Sequence, residues 1–205
     1  MLIFSNKLQR YADFNAPLHC RGVGMIEVLM ALLIISVGFL NIAGLQTAAK
    51  KSNFDSLQRT SALILAHDIV EKMRANPISL GGYITAGVGG GTITQPAQEC
   101  IAAEPCNPGQ IAAYDMWLWE SAMDGASESR TIDGDVTETG GLVNPTGCVV
   151  GPPGGDAGVY TITIVWRGLN DLANVSPDLC GVGSGLYGAN EEFRRILTFD
   201  TYISP

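Results

Sequence analysis

Apolar and polar positions divide this chain into two unequal parts. From Val28 to Ala49 no charged residue occurs, and one acid, Glu27, stands at the head of the run. A stretch of that length meets the ~20 apolar residues needed to cross a hydrocarbon core, so it predicts a membrane helix. From Gln46 to Asn76 polarity rises while a helical period continues. Phe54, Leu57, Ile64, Leu65, Ile69 and Met73 share one face, and Arg59, His67, Glu71 and Arg74 fall elsewhere, which predicts an amphipathic continuation. Asn76-Pro77 ends it, because the residue before proline is pushed out of the α region and proline cannot donate the next hydrogen bond. A single helix from Val23 to Ala75 would be about 80 Å long.

Beyond Pro77 the period changes. Ser79 to Gln98, with GVGGG at Gly87 to Gly91, reads as a long flexible loop. Asn107-Pro108 opens a predicted helix over Gln110 to Ala122, with Ile111, Tyr114, Leu118 and Met123 as its buried face. A second turn-rich passage covers Gly125 to Gly147. Val159 to Trp166 alternates Tyr160, Ile162, Ile164 and Trp166 against Thr161 and Thr163, and Arg195 to Ile203 alternates Leu197, Phe199 and Ile203 against Thr198 and Asp200. These are strands. A third around Cys148 to Val150 makes a small antiparallel sheet, which covers the amphipathic half-helix in an α+β layer arrangement.

Charge fixes direction and excludes one class of partner. Lys7, Arg10 and Arg21 against Asp13 leave the segment before the apolar run basic, which predicts a cytoplasmic N-terminus and an exported remainder. The net charge of -8 and a pI near 4.6 argue against a nucleic-acid surface. Of five cysteines, Cys20 precedes the run and four follow it. An even count in an oxidising compartment favours disulfides, and four cysteines allow three connectivities. The preferred pairing joins Cys100 to Cys106, around a short loop bent by Pro105, and Cys148 to Cys180. Zinc is disfavoured, since no CxxC occurs and no histidine accompanies the four.

A carboxylate at the end of a membrane helix calls for a partner. The order Arg21, Gly22, Val23, Gly24, Met25, Ile26, Glu27 and then the apolar run resembles the leader and first helix of the type IV pilin superfamily. That resemblance implies cleavage by a prepilin peptidase between Gly22 and Val23, methylation of the new amine on Val23, and pairing of Glu27 with the amine of a neighbouring subunit. Many members carry Phe where Val23 stands and Thr where Gly24 stands. AHDIVEKMRANP, from Ala66 to Pro77, is similar to a minor pilin of the superfamily, as are the cysteine spacing, the GCVV and YTITIVW segments and the pair Arg194-Arg195. The implied organisation is a leader at 1–22, a membrane and assembly half-helix at 23–45, an amphipathic half at 46–76 and a periplasmic α+β head at 77–205. The implied partners are other minor pilins and the major pilin, the peptidase, the inner-membrane assembly platform and a tip adhesin, and the implied locations are the inner membrane and then the fibre. A minor pseudopilin of a type II secretion system is the nearest alternative, and a bitopic periplasmic binding domain is one of another class.

No motif supports catalysis or a cofactor. GSGLYG at Gly183 to Gly188 satisfies GxGxxG but leads into a strand, not into a helix after a strand. His67 has only His19 for company, and His19 lies in the leader. DGD at Asp133 to Asp135 has too few oxygen ligands for calcium and reads as turn chemistry. Asp115, Glu120, Glu191 and Glu192 read as surface charges. Gly38 and Gly44 lie six apart, not four, so they make no GxxxG dimer motif; each costs ~1 kcal/mol of helix propensity.

Overall fold

The computed structural model describes residues 22–100, 105–126, 129–132, 135–138, 140–173 and 176–204. It divides into two compact units, Met1–Thr47 and Ala48–Pro205. The described part of the first unit consists of residues 22–24 in non-helical chain and the first part of helix α1 (Met25–Ala75). Among the described residues every side chain there is exposed. Two of its hydroxyls are satisfied locally: Ser36 donates to Leu33 O at 2.8 Å and Thr47 to Gly44 O at 2.8 Å.

In the second unit, α1 buries Gln58, Ala62, Ala66, Ile69, Val70 and Met73. The stripe is rotated from the one its large apolar residues predict. Leu57 and Ile64 face out, and the two alanines take their place because small side chains let other elements approach the helix backbone. Asn76 and Pro77 end α1 as the pattern requires. A 3-10 segment, Pro77–Tyr83, and strand β1 (Thr85–Val88) then occupy part of the predicted flexible loop. Helix α2 (Pro108–Asp124) starts two residues before the predicted Gln110, because Asn107 and Gln110 form a reciprocal capping box and Pro108 suits the first turn. Its buried face is Ala112, Met116, Trp119, Glu120 and Met123, while Ile111, Tyr114 and Leu118 are half-buried.

The second turn-rich passage holds a hairpin that alternation did not reveal, β2 (Ser129–Ile132) with β3 (Asp135–Glu138). Asp133 and Gly134 of the DGD motif lie outside the described residues. The main sheet comprises β1, β4 (Thr146–Val150), β5 (Gly158–Arg167) and β6 (Arg194–Ile203) in spatial order β1-β4-β5-β6, with all neighbours antiparallel. Tyr160, Ile162, Ile164 and Trp166 of β5 join the buried face of α1 with Trp119 and Met123 of α2, which forms the principal core. The opposite face is not simply solvated. Cys148, Val165, Cys180 and Tyr187 form a second buried cluster, roofed by the chain between β5 and β6. Thr163, predicted as a polar outward residue, is buried there.

Candidate functional site: the helix head and the supports of the second unit

Gly22, Val23 and Gly24 precede the first helical turn in non-helical chain, and the Val23 side chain is exposed. Gly24 O starts the helix by accepting from Glu27 N at 2.9 Å and from Val28 N at 3.3 Å. Glu27 therefore lies in the first turn, where unpaired backbone N–H groups favour a negative charge. Among the described residues it makes no salt bridge. Its side chain is exposed among the described residues. His19, Cys20 and Arg21 lie outside the described residues.

The second unit is held by polar side chains that reach between elements. Asn76, buried at the end of α1, donates through Nδ2 to Pro108 O at 2.8 Å and to the Tyr83 hydroxyl oxygen at 3.2 Å. Tyr83 donates in turn to Asp115 Oδ2 at 2.7 Å, so a single amide joins α1, the 3-10 segment and α2. Burial, with the Asp115 carboxylate beside it, pushes the Tyr83 hydroxyl well above its ordinary range. Arg74 reaches Thr201 Oγ1 on β6 at 2.9 Å and Glu71 at 2.8 Å. Gln58 donates to Gly141 O at 3.2 Å and accepts from Val143 N at 3.0 Å, behaving as a strand partner for residues 141–143. These bonds allow an amide to sit in the core stripe.

Four backbone and hydroxyl donors converge on Glu120, which is fully buried. Its carboxylate accepts from Gly89 N at 2.8 Å, Thr92 N at 2.6 Å, Ile93 N at 2.7 Å and the Thr92 hydroxyl at 2.5 Å. One turn on, Asp124 accepts from Gly90 N and Gly91 N, both at 2.9 Å. The GVGGG segment is therefore a pinned turn, and Glu120 is a structural anion, not a surface charge. Glycine is required at Gly89, where φ is +152° and a Cβ would lie 2.1 Å from Pro145 O. The other carboxylates also differ from the expected surface charges: Asp115 serves Tyr83, Glu191 accepts from Gly183 N at 2.9 Å, and Glu192 accepts from Asn190 N at 2.9 Å. Backbone donors, its own N–H first, hold the Glu192 carboxyl below its ordinary range.

Disulfides join Cys100 to Cys106 and Cys148 to Cys180. The second binds β4 to the β5–β6 connection, which Arg194 supports from beneath by donating to Ser176 O at 2.5 Å, Asp178 O at 2.7 Å and Cys180 O at 2.9 Å. GSGLYG belongs to the same connection, with Tyr187 of that motif buried in the second cluster. His67 packs on the Phe199 ring at 4.8 Å. Sequence reading missed Gln58, Glu120, Asp124 and Arg194 as supports. The available signal was Glu120 and Asp124 at helical i, i+4 spacing in a chain that also holds a glycine run rich in unpaired N–H groups.

A long N-terminal apolar helix, a small antiparallel four-stranded sheet and two disulfides make up a pilin-like fold. A family model described as Tt1218-like, Type IV pilin Tt1218, matches residues 44–117, which extend from α1 into α2. The match supports a relation to the type IV pilin superfamily, a structural family and not an enzyme family. Comparisons with curated proteins and with solved structures give no match.

Proposed function

We propose that this chain is a minor pilin similar to the type IV pilus modification protein PilV. In this reading a prepilin peptidase cuts between Gly22 and Val23, the Val23 amine is methylated, and the mature subunit joins other minor pilins in a complex that primes or caps a type IV pilus. Residues 23–45 anchor the subunit in the inner membrane before assembly, with the N-terminus cytoplasmic. Residues 46–76 bind the helix to its head, and 77–205 are periplasmic. The major pilin, the inner-membrane assembly platform and a tip adhesin are its further partners.

One observation carries the reading: Glu27 lies in the first helical turn, beside the exposed Gly22-Val23 segment, at the head of an apolar run whose side chains are exposed among the described residues. Lipid covers such a run before assembly and sister helices cover it afterwards. A neighbour's Val23 amine supplies a cation to Glu27, which sets axial register. The test is intact mass and N-terminal sequencing of membrane-recovered protein, with and without active prepilin peptidase. A methylated Val23 start supports the pathway, and an intact Met1 in both samples removes it. Glu27→Ala is expected to be cleaved and inserted normally but to reduce piliation; normal pilus assembly by that variant sinks the register role. Loss of twitching motility on deletion, with enzyme secretion retained, separates this reading from a type II pseudopilin.

A further inference from the structure

We propose that the outer face of the head sheet binds an extended partner segment in which an apolar side chain and a lysine or arginine alternate with small polar residues. The proposal rests on the second unit alone. Two cavities adjoin on that face, of about 430 and 490 Å³, and share Ala86 and Leu179 in their walls. Leu179 forms the ridge between them and is 82% exposed. Three more apolar side chains lie on the same face, Val150 at 62%, Val159 at 58% and Tyr202 at 65% exposure, with Val159 and Tyr202 directly paired across β5 and β6. Several exposed apolar side chains on one sheet face are a feature of interaction sites.

The two cavities differ in chemistry, and that difference selects the occupant. The smaller is bounded by Gly87, Thr146, Val182, Ser184 and Leu186 and has no charged wall, so it suits an aliphatic side chain. The larger is bounded by Val150, Pro177, Thr161, Thr163, Asp178 and the Cys148–Cys180 disulfide. An apolar wall ending in a carboxylate matches a side chain with a hydrocarbon stem and a cationic tip. Asp200 adds a second carboxylate at the rim, where it accepts from the Thr161 hydroxyl at 2.7 Å. Arg194 offsets part of the Asp178 field from below but is buried and committed to backbone carbonyls, and among the described residues no basic side chain lines either cavity.

Long-range charge acts in the same sense. The first 47 residues hold three basic and two acidic side chains of the chain's twelve and twenty, so residues 48–205 hold nine and eighteen. This acidic unit attracts basic segments and steers their approach. In an extended segment residues i and i+2 point the same way, roughly 7 Å apart, so one chain can fill both cavities across the Leu179 ridge. Such recognition uses alternate side chains for specificity.

The experiment is fluorescence polarisation with the full chain in detergent micelles and two labelled, blocked pentapeptides, TVTKT and TVTET. Saturable binding of TVTKT, at least tenfold tighter than TVTET, is expected. Leu179→Asn, a change at a solvent-exposed side chain, is expected to weaken TVTKT at least fivefold. Asp178→Asn, which retains the oxygen that accepts from Cys180 N, is expected to weaken it at least threefold; unchanged near-UV circular dichroism checks that both variants fold. Absence of saturable binding, equal affinity for the two peptides, or indifference to Leu179→Asn overturns the proposal. So does a sedimenting dimer abolished by Leu179→Asn, which assigns the groove to a second copy of the chain.

Discussion

Asn76 and Tyr83 meet through one buried hydrogen bond, Nδ2 to Oη at 3.2 Å, across the proline that ends α1. The bond explains why an amide precedes that proline. The second Nδ2 hydrogen is directed to Pro108 O, so the same carboxamide fixes the start of α2 relative to the end of α1. A residue read from sequence as a helix stop is also the junction of three elements.

Asn76→Ala removes both donors and leaves the part-buried Pro108 carbonyl and the buried Tyr83 oxygen without this partner. Each buried polar group left unsatisfied costs ~1 to 3 kcal/mol. We expect a loss of roughly 2 to 4 kcal/mol for the pair on that scale, measured by urea unfolding of the full chain in micelles. A loss under about 0.5 kcal/mol, the scale of an ordinary surface substitution, would show that water replaces the amide and that the junction has other support.

Periodicity made the long helix, the strands β5 and β6 and the α+β class legible, because each depends on repeated apolar positions that a window can detect. Polar residues buried by a distant partner were not legible. Glu120 looks like any helix-surface acid until the 87–93 turn is folded around it, and Gln58 looks like a solvent residue until 141–143 pairs with it. The rotation of the α1 stripe has the same origin. Ala62 and Ala66 carry little hydrophobic signal, yet their small size is what allows close packing, whereas Leu57 and Ile64 carry a strong signal and are exposed. At the helix head, Gly22, Val23 and Glu27 stand out in sequence as candidates because a lone acid precedes a long apolar run.

Glu120→Gln tests the pinned turn with almost no change in volume. The amide keeps one acceptor and turns an NH2 group toward donors that the second carboxylate oxygen had satisfied. We expect about 1 to 3 kcal/mol of destabilisation, as for unsatisfied buried donors, together with faster amide exchange at Gly89, Thr92 and Ile93. Unchanged exchange at those amides would contradict the assigned role.

Gly147 identifies a second packing constraint in the head. A Cβ there would lie 2.4 Å from the Trp119 ring, and Trp119 is itself held by its indole N–H bond to Leu65 O at 2.9 Å. The ring cannot move without breaking that bond. Gly147→Ala should therefore cost ~1 to 3 kcal/mol through overpacking and shift Trp119 fluorescence. Gly90→Ala meets no atom within 4 Å but adopts φ of +72°, so it separates backbone strain from steric conflict.

Alkaline pH offers a test that requires no substitution. Tyr83, Tyr160 and Tyr187 all have hydroxyls raised above the ordinary value of 10.0, burial being the first cause in each, with Asp115, Asp156 and Glu191 respectively adding to it. In the unfolded chain these groups ionise near 10, while in the folded chain they remain neutral to higher pH. Below about pH 10 the unfolded and folded states bind the same tyrosine protons, and the stabilisation is fully present. As pH rises above 10 the unfolded state loses protons first, so unfolding becomes easier until the folded groups themselves ionise. Urea midpoints should be flat through neutral pH and fall above pH 10, and absorbance at about 295 nm should show three of the six tyrosines ionising late or only on unfolding. Tyr83→Phe should lower stability at pH 7, by removing the bonds to Asp115 and Asn76, and should also flatten part of the alkaline fall. An alkaline fall of the same steepness in Tyr83→Phe would exclude Tyr83 as a source of it.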